Sequence, residues 1–156
     1  MKATDSMMSF ANIRCPCGGA ENSKENNHTN PKNKGVGNGN FISYQNCCAR
    51  FIEDGVIAPD ASLLMRSRYT AYVLEKKSYL LQTWRADHRP QDIEFDEDIK
   101  WLGLEVKQHT LTGDATADVE FVARYRISGT GHRRHERSHF VLQDETWFYI
   151  HGETPE

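Results

Sequence analysis

The sequence lacks several things at once. No cysteine follows Cys48 in this 156-residue chain, so the larger part of it has neither thiol chemistry nor disulfide staples. No apolar run approaches the roughly 18 residues of a membrane-spanning helix, which excludes a helical membrane protein. An excess of charge of one sign is missing too. The 19 Lys/Arg against 22 Asp/Glu leave a net charge of −3, with no general attraction for nucleic acid or anionic lipid. There is no internal repeat, HExxH helix, nucleophile elbow, phosphate-binding loop or dinucleotide fingerprint. Met1 to Phe10 has neither the basic start nor the continuous apolar core of a secretory signal, so a cytoplasmic location is expected. What is present is enough for a core. Aromatic residues make up 10% of the chain, which excludes full disorder, and the length fits one ordinary domain with a small appendage.

Charge and composition place a boundary near residue 50. Residues 1–50 carry six Lys/Arg against three Asp/Glu, whereas residues 51–156 carry thirteen against nineteen. Within the first part, residues 19–40 are dominated by Asn, Gly and Lys. Such a stretch buries too little to offset its ordering entropy and reads as a disordered surface insertion. Beyond it, Pro59-Asp60 offers a helix start. Ala61, Leu64, Met65, Tyr69, Tyr72 and Val73 then follow as one helical face ending near Glu75. Ser78 can cap a second short helix carrying Tyr79, Leu80, Leu81 and Trp84. The acidic run Asp92 to Asp98 reads as a loop. The period then changes to two. Leu102, Leu104 and Val106 alternate with polar residues, as do Val119, Phe121, Ala123 and Tyr125. Segments 134–143 and 146–151 continue the pattern. Turn residues at Thr112-Gly113-Asp114, Ser128-Gly129-Thr130-Gly131 and Asp144-Glu145 separate the four. Helices followed by four consecutive strands predict an α+β fold, an antiparallel sheet covered by helices on one face.

The cysteines form two pairs, Cys15-Pro16-Cys17-Gly18 and Cys47-Cys48. Four thiolates at about 2.3 Å satisfy tetrahedral zinc, and a tight C-x-C turn can aim two sulfurs at one ion. Adjacent Cys47 and Cys48 can both ligate only where the backbone bends between them, as at the start of a helix. A disulfide within either pair would be strained at so short a separation. A redox pair or an empty reduced site remain the other readings.

These residues resemble a known module. Cys-Pro-Cys-Gly followed by Tyr44-x-x-Cys47-Cys48 is similar to the SEC-C motif, the small zinc-binding module at the C-terminus of the SecA translocation ATPase. Leu64-Met65-Arg66-Ser67-Arg68-Tyr69, Trp101-Leu102-Gly103-Leu104, Glu136-Arg137-Ser138 and Trp147-x-Tyr149 resemble the YchJ family (UPF0225), bacterial SEC-C proteins with an NTF2-like, or cystatin-like, main domain. The resemblance implies a zinc knuckle over residues 1–50, interrupted by the insertion. It implies an NTF2-like cone over residues 51–156, helices packed on a curved four-stranded antiparallel sheet. One structural zinc ion would be held by Cys15, Cys17, Cys47 and Cys48. The chain departs from the family in three places. Here 29 residues separate Cys17 from Cys47, where the family has about eight, a loop-closure difference of about 1 kcal/mol. Many relatives carry a further Cys-Pro-Cys-Gly, and none follows Cys48 here. His151 stands where relatives often have Asp before the final Gly.

Within such a cone, the candidate pocket residues are Arg66, Tyr69, Trp84, Glu136, Ser138, Trp147 and Tyr149. Glu136, Ser138 and Phe140 share one strand face. An inward carboxylate needs a partner, and Arg66 or Arg68 from the helix is the expected one, as a salt bridge between helix and sheet. His135 and His139 are expected as exposed or cross-strand groups. By fold analogy alone, His109 or His151 beside Tyr149 can serve as a general acid or base. Two functions follow. One is a zinc-containing adaptor whose knuckle meets a protein or ribosome-associated partner, with a possible homodimer through the sheet. The other is an NTF2-like small-ligand binder, or an isomerase- or dehydratase-like enzyme, that uses the cone. Loss of Cys17 is expected to loosen the knuckle and leave Phe51–Gly152 folded.

Overall fold

The computed structural model describes residues 12–19 and 42–155. The Asn/Gly-rich insertion expected at 19–40 therefore lies outside the described residues, apart from Gly19. A single 3-10 turn, Tyr44–Asn46, leads into helix α1 (Ala49–Ile52). Two more helices follow, α2 (Ala61–Val73) and α3 (Lys77–Gln82). The strands are β1 (Ile99–Leu111), β2 (Thr116–Ile127), β3 (Thr130–Gln143) and β4 (Thr146–Glu153). They form one antiparallel sheet in the order β1-β2-β3-β4, so the α+β expectation holds. No helix among the described residues is long and apolar enough to cross a membrane.

Local chemistry sets the boundaries of α2. The Asp60 carboxylate accepts from the Leu63 amide at 2.8 Å and caps its first turn. At the other end, Lys76 N–H bonds Ala71 and Glu75 N–H bonds Tyr72, with Glu75 at φ 56°. This is a Schellman ending with a glutamate in the position glycine usually takes. Helix α3 begins at Lys77, with Lys76 in the capping position and no side-chain cap, so Ser78 does not cap it.

Two hairpins close through two-residue turns with both residues at positive φ or glycine: Ser128-Gly129 and Asp144-Glu145. These turns match the right-handed twist of the strands. Extra residues at Leu102 and Lys107 in β1, and at Ile150 in β4, break the register. Such bulges bend a sheet. Thr83 and Arg85 flank Trp84 and bond the backbone of Tyr149 from both sides, at 2.9 and 2.8 Å, which covers the outer edge of β4. Helix α2 lies across the inner face and touches β1, β2 and β4. Leu64, Met65 and Tyr69 of that helix join Val119, Phe121, Ala123 and Phe140 of the sheet in one apolar cluster. The four cysteines, Tyr44 and Phe51 belong to the same cluster.

Two contacts at the margins of this core are testable. The Glu53 carboxylate accepts from the Tyr44 hydroxyl at 2.9 Å and pairs with Lys76 at 2.8 Å, tying the 3-10 turn, α1 and the end of α2 together. Burial alone would raise the Glu53 carboxyl, but the bonds from Lys76 and Tyr44 outweigh it and hold the group below its ordinary value of 4.5. A carboxyl depressed in the folded state stabilises above the unfolded value, and that contribution is lost as pH falls through the folded one. Glu53→Gln is thus expected to cost about 1 kcal/mol at neutral pH. The gap to wild type should close below pH 4.5 in paired urea melts. The second contact is steric. Gly152 pairs with Ser138 across β3 and β4, and any side chain there would run into the Glu136 carboxylate. Gly152→Ala should displace the Glu136 side chain and break its bond with Ser138, at a cost of about 1 kcal/mol. In a Glu136→Ala background the same change should cost far less, a coupling that a double-mutant cycle measures.

Candidate functional site

Two sites lie against opposite aspects of α2. The first is the cysteine cluster. Residues 13–15 and 42–44 form a short two-stranded ladder, with Cys15 N–H bonded to Ile42 and Tyr44 N–H bonded to Ile13. The chain then turns back on itself, Gly18 N–H reaching the Cys15 carbonyl at 2.9 Å, with Gly18 at φ 88°. On the other segment Cys47 is non-helical, at φ −127° and ψ −109°, whereas Cys48 already has helical angles at the N-cap of α1. That bend turns two adjacent side chains toward one point.

All four sulfurs lie within 4.8 Å of one another, and Cys17 and Cys47 are 3.6 Å apart. Sulfurs around a four-thiolate tetrahedral ion stand about 3.8 Å apart, so the residues fit a metal. None of the four is in a disulfide. Hydrogen bonds from outside the cluster hold the sulfurs: Gly19 N–H to Cys17 Sγ at 3.3 Å and Thr70 Oγ1 to Cys48 Sγ at 3.2 Å. Arg66 donates to the Cys17 carbonyl at 3.0 Å and Arg50 to the Cys47 carbonyl at 2.9 Å. These guanidinium groups bring positive charge to the cluster. The thiols also shape one another. The bond from Cys17 draws Cys15 down to about 7, and Cys17 and Cys48 are pushed up, chiefly by their bonds to Cys15. Binding a cation among them would release their protons.

The second site is a cavity of about 400 Å³ between α2, the inner sheet face and the 94–101 segment. Of the candidates read from the sequence, Tyr69, Trp84, Glu136, Ser138 and Tyr149 line it, and Arg66 and Trp147 do not. Arg66 points to the cysteines instead, because two residues along a helix turn a side chain about 200°. Trp147 packs, half-buried, against the apolar cluster. Arg68 takes the place expected of Arg66. It is 3% exposed, its Nη1 donates to the Leu80 carbonyl and to Thr83 Oγ1, both at 2.7 Å, and its guanidinium lies over the rings of Tyr149 at 4.4 Å and Trp84 at 5.1 Å. The expected pairing of Glu136 with a helix arginine is replaced by one within the strand. Arg134 Nε meets Glu136 Oε2 at 2.8 Å, and Ser138 Oγ donates to Oε1 at 3.3 Å. Arg134, two residues before Glu136, shares its face, a period-2 signal present in the sequence.

Tyr72, Phe95, Trp101 and Phe121 complete the wall. Burial pushes the Tyr69 and Tyr149 phenols up to about 12, and Glu136 adds to the effect at Tyr149, so both remain donors at neutral pH. No histidine lines the cavity. His135 bonds Glu120 at 2.6 Å, and His139 bridges Asp118 at 2.6 Å and Glu153 at 3.1 Å, the cross-strand role expected of them. His151 packs between the rings of His139 and His88 rather than serving Tyr149.

Comparison with known proteins agrees with this architecture. Residues 60–152 match the family described as "YchJ, middle NTF2-like domain". A UPF0225 protein of Methylibium petroleiphilum is 52% identical over 71% of this chain and 82% of its own. One from Polaromonas naphthalenivorans is 44% identical over 89% of this chain and 96% of its own. Two solved SEC-C motif proteins share the fold. That of Rhodopseudomonas palustris is 30% identical with a TM-score of 0.66, covering 76% of this chain and 96% of its own. That of Psychrobacter arcticus is 27% identical with a TM-score of 0.69, covering 96% and 86%. With a four-cysteine cluster on one side of α2 and an NTF2-like cavity on the other, the chain belongs to the YchJ (UPF0225) family of SEC-C proteins.

Proposed function

We propose that the protein is a small-ligand-binding module whose N-terminal segment is folded around one structural zinc ion and packs on the cone. The observation that supports this reading most is the contrast in exposure between the two sites. The four thiols are 0–1% exposed, so an ion among them has no open coordination position for a substrate. The cavity, by contrast, has the size and mixed lining of a ligand site. Zinc is the ion chosen because four thiolates in tetrahedral array suit its softness and geometry. Arg50 and Arg66 offset part of the net charge of −2 that such a centre carries.

A second reading, the adaptor, is favoured by one feature. Ile13, Val56 and Ile57 are 38%, 53% and 59% exposed on the segments that carry or follow the cysteines. They offer apolar surface for a protein partner.

Three measurements test the proposal. Protein purified without chelator should contain one equivalent of zinc, and less than about half an equivalent sinks the metal assignment. Because the cysteines share a buried cluster with α2 and β2, Cys17→Ser is now expected to lower the melting temperature of the whole domain, not of the knuckle alone. A wild-type near-ultraviolet melting curve in that variant would refute the shared core. For the cone, Trp84 and Trp101 emission should respond saturably to members of a panel of small apolar molecules. A flat response across the panel leaves the adaptor reading standing in its place.

A further inference from the structure

Arg68 is a buried cation with part of its bonding capacity unused. Both hydrogens of Nη1 are taken, by the Leu80 carbonyl and by Thr83 Oγ1. Nε and Nη2 have no acceptor among the described residues, and no carboxylate stands within ion-pair distance of the guanidinium. Every fully buried side-chain nitrogen and oxygen among the described residues has a partner. The unused Nε/Nη2 edge is therefore one that meets open space, and the open space Arg68 lines is the cavity. The Nε/Nη2 edge is the planar fork that receives a carboxylate through two parallel bonds.

The neighbours do not supply that carboxylate. Glu136 is occupied by Arg134 and Ser138. The ring faces of Trp84 and Tyr149 and the last carbonyls of α3 offer only partial negative charge. We propose that the cone binds a small monocarboxylate with an aromatic or branched apolar body, its carboxylate received by the Nε/Nη2 edge of Arg68. This rests on the reading of the cone as a ligand site and names what the site takes. The apolar body follows from the walls formed by Tyr69, Tyr72, Trp101 and Phe121. The single charge follows from the rim. Glu75, Glu94 and Asp96 are exposed at the edge of the cavity, outnumber the exposed Arg134, which is already paired with Glu136, and repel a dianion such as a phosphate ester more than a carboxylate.

The test uses the full-length, zinc-loaded chain and matched pairs that differ in the acid group: phenylacetate with phenethyl alcohol, and isocaproate with isohexyl alcohol, with phenyl phosphate as the dianion. Tryptophan emission and calorimetry should show at least one acid binding at least about tenfold more tightly than its alcohol. Arg68→Lys, which keeps the charge and loses the planar fork, should shrink that preference to a few-fold. Because Arg68 also holds the end of α3, that variant can lose its fold. The wild-type protein supplies an independent reading: the Arg68 Nε–H resonance should move on adding the preferred acid and stay in place with its alcohol. Alcohols that bind as tightly as their acids, or a preference for phenyl phosphate, would overturn the role of Arg68 and leave the cone a ligand site. Saturable binding by no member of either pair would overturn both.

Discussion

A single buried charge organises the inner end of the molecule. Taking a guanidinium out of water costs several kcal/mol unless its surroundings replace the lost hydration. Around Arg68 that replacement comes from three parts of the chain at once. The end of α3 gives a carbonyl, Thr83 a hydroxyl, and Trp84 and Tyr149 their ring faces. Trp84 stays in place because its indole N–H bonds Ile150 at 3.0 Å and its backbone neighbours pair with β4. The short helix, the edge of the sheet and the wall of the cavity are thus positioned by the need to solvate one side chain.

Helix α2 carries this arrangement to the other half of the structure. Residues 68, 69 and 72 face the cone, and residues 66 and 70 face the sulfurs. Thr70, fully buried, touches both Cys15 and Cys48. The helix has little solvated face in its middle turns, which is why Ser67, Arg68 and Thr70 are buried despite their polarity. Each is satisfied locally, Ser67 by the Leu64 carbonyl and the Tyr79 hydroxyl. The segment that carries the cysteines and the domain that encloses the cavity meet on one helix.

Much of this was legible in the residues. The stripe from Ala61 to Val73 with Asp60 before it defined α2, and the turn signals at 128–131 and Asp144-Glu145 marked the hairpins, the first turn proving tighter than its signal because Thr130 and Gly131 belong to β3. The pair Cys47-Cys48 demanded a bend, and the bend is present. The misplacements share one physical origin. Periodicity says which residues share a face of an element but not what lies over each part of that face. Arg66 and Arg68 are equally basic and two residues apart, so only the packing of α3 and the cysteine ladder decides which enters the cone. Trp147 was grouped with Tyr149 by its alternation along β4, yet it packs in the apolar cluster instead of lining the cavity. Glu136 found its counter-charge in its own strand because Arg134 needs no tertiary rearrangement to reach it.

The ladder beside the cysteines has a consequence for how this sequence can change. Cys15 N–H to Ile42 and Tyr44 N–H to Ile13 clamp together the two ends of the chain that departs after Gly19 and returns before Ile42. Those bonds set the two cysteine pairs side by side. The entropic cost of closing a longer connection between two clamped ends grows only with the logarithm of its length. The position is therefore a natural port for variation. Lineages can lengthen or trim it, and an engineer can graft a peptide into it, without renegotiating the geometry of the four sulfurs.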